Sequence, residues 1–125
     1  MSLAITNTTK GKLPRLPFAK MTAAVLGKEY ECSLVIVGSK KSRELNRAYR
    51  GKDNPTNILS FPLDENEGEI FLDLKKARSE APDFERSYTN FIGFLYIHAL
   101  LHLKGLDHGT KMEAQEKKFR TLFKI

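Results

Sequence analysis

The sequence predicts a single α+β domain, residues 1–125, with a small mixed β-sheet of about four strands packed with about five helices. Three observations lead there. Short β-branched and apolar runs gather in the first half of the chain, and helical patterns gather in the second. The longest apolar run, Phe91 to Leu103, covers 13 residues, too long for an ordinary strand and far short of the ~20 that a bilayer demands. A length of 125 residues, 41% of them apolar, suits one packed core and leaves no room for a second full domain.

Taken in order, Leu3 to Asn7 reads as a short first strand. Pro14 and Pro17 interrupt the next segment, and a helix is expected from Phe18 to Leu26, before Gly27. Glu31 to Val37 (ECSLVIV) is the clearest strand, being β-branched and apolar. Gly38 breaks it, and Ser39 is placed to cap a helix running through Leu45 to about Tyr49. Gly51 to Asn57 (GKDNPTN) clusters Gly, Asp, Asn and Pro, which is loop chemistry. Ile58 to Leu63 is a strand whose Pro62 suits a strand end or a sheet edge. Asp64 to Gly68 reads as a turn, Glu69 to Asp73 as a strand and Leu74 to Ser79 as a short helix. A longer helix should begin between Pro82 and Tyr88 and end near Leu103. Thr110 to Phe123 is the final helix, with Thr110 and Glu113 forming an S/T-x-x-E capping box.

Lys and Arg outnumber Asp and Glu by 21 to 15, a formal charge of +6, which favours polyanionic partners such as nucleic acid. Met1 to Lys12 is polar and lacks the apolar core of a secretory signal. A lone cysteine, Cys32, excludes an internal disulfide and fits a reducing, cytoplasmic compartment. Its place in a strand marks it as a sheet or core residue, not a catalytic thiol.

The chemistry concentrates in His98-Ala99-Leu100-Leu101-His102-Leu103-Lys104-Gly105-Leu106-Asp107-His108, which contains every histidine of the chain. His98 and His102 are four apart, so on a helix their imidazoles share one face, one turn apart. Both interrupt an apolar run, where polar rings are costly unless their nitrogens are satisfied, and a metal satisfies them. Gly105 can end the helix sharply and return His108 to the same point. Three imidazoles with an open fourth position is the pattern of catalytic zinc; no cysteine is available in this stretch to close the shell. Asp107 either orients a ligand from behind or stays solvated. A single histidine would be better read as an ordinary core or surface residue; three at H-x3-H-x2-G-x2-H favour metal. Imidazole also suits copper, iron and nickel, and zinc leads because the chemistry read here is hydrolytic. The spacing is that of metzincin peptidases, H-E-x-x-H-x-x-G-x-x-H. Their general base is the glutamate at the second position, where this chain has Ala99, which cannot take a proton.

A second tract, Leu45 to Pro62, reads LNRAYRGKDNPTNILSFP and sets cations, hydroxyls and amides in a loop between a helix and a strand. Arginine's planar fork matches phosphate geometry. Together the two tracts resemble the YbeY family, bacterial endoribonucleases that act as ribosomal RNA maturation factors. That family carries LN-x-x-YRG-K-x-x-PTNVLSFP and HG-x-LHL-x-GYDH; here they stand as LNRAYRGKDNPTNILSFP and HALLHLKGLDH. The resemblance runs from about Leu34 to His108. The chain departs from it at Ala99 (glycine in the family), Leu106 (tyrosine) and Glu69 (aspartate), and none of these removes a ligand.

The resemblance implies one zinc ion per chain, on His98, His102 and His108, with Arg50 needed for RNA cleavage and Arg47, Lys52, Thr56, Asn57 and Ser60 along the same cleft. It implies a single-strand-specific endoribonuclease acting in ribosomal RNA maturation, at the 3′ end of the small-subunit RNA, and in ribosome quality control. The partners would be single-stranded RNA and the small ribosomal subunit, not a membrane. Two other readings stay open on the residues: a ribosome-assembly or RNA-binding factor stapled by structural zinc, and a zinc peptidase. Neither the general base nor the attacking group, water or ribose 2′-OH, is singled out.

Overall fold

The computed structural model describes residues 2–125; Met1 lies outside the described residues. Nine elements follow one another: β1 (Ser2–Asn7), α1 (Phe18–Leu26), β2 (Glu31–Ile36), α2 (Ser39–Arg50), β3 (Ile58–Asp64), β4 (Glu67–Leu72), α3 (Leu74–Glu80), α4 (Tyr88–Leu103) and α5 (Thr110–Phe123). A short 3-10 turn, Ala81–Phe84, joins α3 to α4. The four strands form one mixed sheet in the order β1-β2-β4-β3. β1 and β4 each run parallel to β2, and β3 runs antiparallel to β4. The α+β expectation therefore holds, with four strands and five helices.

Alternation assigns the two faces of the sheet. Leu34, Ile36, Ile70 and Leu72 turn to one side and are fully buried, as is Cys32 beside them. Ser33, Val35, Glu69 and Phe71 turn to the other side and are half-buried. The buried face is covered chiefly by α4, ten of whose sixteen residues are buried. A helix buried almost all round has little amphipathic contrast, so its position is set by packing on β3, α1 and α5. Ser87 caps it, its Oγ accepting the Asn90 N–H at 3.1 Å.

α2 is held differently. Its buried residues are polar, Ser42 and Asn46. Ser42 Oγ donates to the buried Asp73 at 2.7 Å, and Asp73 also accepts the Lys76 N–H at 3.0 Å to cap α3. Asn46 Nδ2 donates to the Asn54 carbonyl at 2.9 Å. A buried carboxylate satisfied on both oxygens thus ties α2 to the start of α3.

Four local expectations are corrected. Gly38, not Ser39, is the N-cap of α2, and no side chain caps that end; Ser39 is already helical. Gly109 likewise precedes α5 with no side-chain cap, so Thr110 and Glu113 do not form a capping box, and the Glu113 N–H is satisfied by the Gly109 carbonyl at 3.0 Å. β4 begins at Glu67, within the stretch read as a turn, because β2 offers Glu31 and Cys32 as ladder partners for Glu67 and Gly68. Asp73 leaves the strand to become the cap of α3. Pro62 lies on β3, an edge strand, beside a register shift between Pro62 and Asp64, where its missing N–H costs no ladder bond. No helix among the described residues is long and apolar enough to cross a membrane.

Cys32 sits in β2 at 4% exposure, and burial pushes its thiol up to about 11. At pH 8 about one thousandth of it would be thiolate. Ellman's reagent should leave the folded protein unmodified at pH 8 and titrate one thiol at once in guanidinium chloride. Rapid reaction of the native protein would contradict this burial.

Candidate metal centre

The centre is built on the C-terminal end of α4. His98 and His102 are half-buried among buried neighbours, one turn apart as their spacing requires. α4 ends at Leu103, and Gly105 takes φ 100°, a left-handed conformation that suits glycine. The Leu106 N–H then bonds back to the Leu101 carbonyl at 3.1 Å, and the chain returns over the helix end with His108. The three imidazoles meet. Ring centroids lie 4.6 Å (His98–His102), 5.3 Å (His98–His108) and 5.2 Å (His102–His108) apart. One nitrogen from each can be chosen so that all lie within 4.8 Å of one another.

Hydrogen bonds behind the rings decide which nitrogens face inward. His98 Nδ1 lies 2.7 Å from Glu116 Oε1, and His102 Nδ1 lies 3.0 Å from the Leu106 carbonyl oxygen. A carboxylate and a carbonyl can only accept, so each imidazole donates from Nδ1. In the neutral form that donates from Nδ1 a ring presents an unprotonated Nε2, and the two Nε2 atoms are 3.0 Å apart. Two lone pairs facing at that distance repel unless a proton or a metal ion lies between them. Tetrahedral zinc with bonds of about 2.0–2.1 Å would hold two nitrogens about 3.3 Å apart, close to the spacing observed. The donor set therefore fits a metal ion. Burial, reinforced by neighbouring His98, pulls the His102 pKa below its ordinary value, which keeps it neutral and able to ligate at pH 7.

A cleft of about 690 Å³ opens over the three histidines. Arg50, Lys52, Asn57 and Ser60 line it. Arg50 is the last residue of α2, and Gly51 at φ 69° closes the helix with its N–H on the Arg47 carbonyl, which turns Lys52 toward the same cleft. Ser60 comes from the face of β3 that looks toward α4, and Asn57 commits its Nδ2 to Glu80 Oε1 at 2.9 Å.

Three sequence expectations are placed elsewhere. Arg47 does not line the cleft; it is exposed and faces Asp53 at 3.8 Å, alongside Arg43, which bonds Asp53 at 2.8 Å. On a helix Arg47 and Arg50 are three residues apart, but only the terminal residue reaches past the end of α2. Thr56 is absent from the cleft wall as well. Asp107 is exposed and makes no hydrogen bond to an imidazole among the described residues. The supporting contacts come instead from Glu116 and the Leu106 carbonyl. Glu116 went unrecognised because it lies 18 residues from His98, on another helix. The available signal was the EAQE run of α5, where Glu113 and Glu116 are three apart on one face, and both line the cleft.

Removing Glu116 should loosen the His98 ring. Zinc, added as a probe ion, should bind Glu116→Ala about 10–100-fold more weakly than wild type, and Glu116→Gln, which keeps an acceptor oxygen, should lose less. Competition against a chromophoric chelator measures both; equal affinity in all three proteins would remove Glu116 from the centre.

Comparison with known proteins places this geometry in a lineage. The family model described as endoribonuclease YbeY matches residues 6–123. The chain is 40% identical over 103 residues to the endoribonuclease YbeY of Alkaliphilus metalliredigens, covering 74% of this chain and 66% of that protein. It is 38% identical over 98 residues to that of Acholeplasma laidlawii (75% and 70%) and 35% identical over 101 residues to that of Bacillus subtilis (69% and 64%). The chain thus spans about two thirds of the length of the curated relatives it matches. A solution structure of a Thermotoga maritima protein superposes with a TM-score of 0.66 at 29% identity, over 94% of this chain and 85% of that one. With a histidine cluster at one end of a buried helix, an arginine at the end of α2 across the cleft and a match along nearly its whole length, this chain belongs to the endoribonuclease YbeY family.

Proposed function

We propose that this chain is a zinc-dependent endoribonuclease that cuts single-stranded RNA in the cytoplasm. Its substrate is ribosomal RNA, at the 3′ end of the small-subunit RNA, and its partner is the small ribosomal subunit, where the same cut serves maturation and quality control. One observation carries the reading: a single cleft lines up two phosphate-binding cations, Arg50 and Lys52, with the three histidines. Curated relatives named endoribonuclease YbeY and a formal charge of +6 support it.

His98, His102 and His108 would hold the ion. An ion held there would supply Lewis acidity, which would make an attacking oxygen acidic near neutral pH and draw charge from a phosphoryl oxygen. The chain's own residues do the rest. Arg50, extended from the C-terminal end of α2, pairs with the scissile phosphate and stabilises the charge that grows on it. Lys52 adds a second cation for an adjoining phosphate, and the Ser60 hydroxyl can donate to the strand from the floor formed by β3. Ala99, almost wholly buried, puts a methyl group where a metzincin peptidase would carry its glutamate base. That counts against peptide hydrolysis.

Arg50→Ala should lower the cleavage rate of a single-stranded RNA oligonucleotide about 100-fold or more while zinc content stays at one per chain, and Arg50→Lys should recover part of the loss. Gel-resolved cleavage and elemental analysis on the same sample measure the two. Wild-type cleavage by Arg50→Ala, or undiminished cleavage after exhaustive chelation, would sink the assignment.

A further inference from the structure

Five large apolar side chains stand well exposed among the described residues: Ile5, Tyr49, Leu63, Phe84 and Leu122. Only Phe84 lines the histidine cleft. It lies in the 3-10 turn between α3 and α4 at 50% exposure. The following residue, Glu85, takes φ 55°, so the turn closes tightly behind it. Its ring is stacked on Phe91, with centroids 4.8 Å apart and planes 29° apart, and Phe91 is fully buried. The core thus holds the ring from one side and leaves it open to solvent on the other.

We propose that the outward side of Phe84 is a stacking site for one unpaired nucleobase of the strand whose phosphate lies on Arg50. This rests on the endoribonuclease reading above and adds to it the group that recognises a base. Stacking suits this place because every base has a π-face and an aromatic platform accepts any of them, provided the base is free of a duplex. The cleft combines the two needs of single-strand binding, cations for the backbone in Arg50 and Lys52 and an aromatic surface for a base. Phe94, the other phenylalanine on the cleft wall, is less available. It is half-buried, carries the Arg86 guanidinium 4.5 Å from its ring centre and packs on Phe91. The single-strand preference expected of this cleft then has a physical source: a paired base cannot leave its stack to reach Phe84 without an added cost.

The test is binding without cleavage. Zinc-free protein in chelator is titrated with a fluorescein-labelled single-stranded oligoribonucleotide, and with an abasic oligomer of the same length and charge. A third oligomer carries 2-aminopurine, whose fluorescence falls on stacking. Wild type should bind the base-bearing strand more tightly than the abasic one and quench 2-aminopurine. Phe84→Leu should bind the base-bearing strand about tenfold more weakly, bind the abasic strand as wild type does and lose the quench; Phe84→Trp should keep both. Equal binding of the base-bearing strand by wild type and Phe84→Leu overturns the stacking site. So does an equal loss on both strands, which would mark a structural role. No binding of either strand by wild type, in chelator and again with zinc restored, overturns the endoribonuclease reading itself, and this inference with it. Normal RNA binding with an unmoved Phe84→Leu overturns the inference alone.

Discussion

The contact between His98 and Glu116 is the constraint on which the centre depends. α4 is buried almost all round, so its two histidines have few ways to satisfy two ring nitrogens each. Glu116, reaching over from α5, accepts a hydrogen bond from His98 Nδ1–H at 2.7 Å, and the Leu106 carbonyl in the loop that follows α4 accepts one from His102 Nδ1–H. With both Nδ1–H groups committed outward, both Nε2 atoms are aimed at one point. The helix would tolerate two leucines there at no electrostatic cost; two imidazoles held Nε2 to Nε2 at 3.0 Å call for a proton or a metal ion between them. Arg120, four residues on, lies 3.6 Å from the other oxygen of Glu116 and helps to balance its charge.

The opposite wall rests on a different kind of bond. α2 contributes little apolar surface and is positioned by Ser42 on Asp73 and by Asn46 on the Asn54 carbonyl. These are directional contacts with one good geometry each, whereas an apolar face can slide. The distinction matters because Arg50 is the last residue of that helix. A polar anchor two turns upstream sets where the guanidinium stands, and the αL turn at Gly51 brings Lys52 alongside it. Asp73 also gives its N–H to the Asn57 carbonyl, so one buried carboxylic residue joins α2, the cleft loop and α3.

These two supports make the cleft asymmetric. The α4–α5 wall gives imidazoles and carboxylates, the α2–β3 wall gives cations and a hydroxyl, and Phe84 stands on the turn that leads into α4. A wall of imidazoles that could hold a metal ion, facing a wall of cations, suits an ester of phosphoric acid, and a basic net charge favours such ligands.

Much of this was legible before any coordinates. Strand and helix periods placed all nine elements to within a few residues, and the i, i+4 spacing of His98 and His102 inside an apolar run required that both rings share a face. Gly105 marked the turn that returns His108. These are local matters, decided by backbone geometry within one or two turns. The cap positions were misjudged where glycine held the N-cap, because a following Ser39 or Thr110 looks the same in sequence whether its hydroxyl bonds or not. What only the tertiary structure decided is which distant side chains meet the local ones. Glu116 reaches His98 from α5, while nearby Asp107 is exposed and makes no hydrogen bond to an imidazole among the described residues. Arg50 enters the cleft while Arg47, in the same motif, pairs with Asp53 outside it. The reason is that spacing along a chain fixes direction only within an element; which wall faces which depends on how the elements pack.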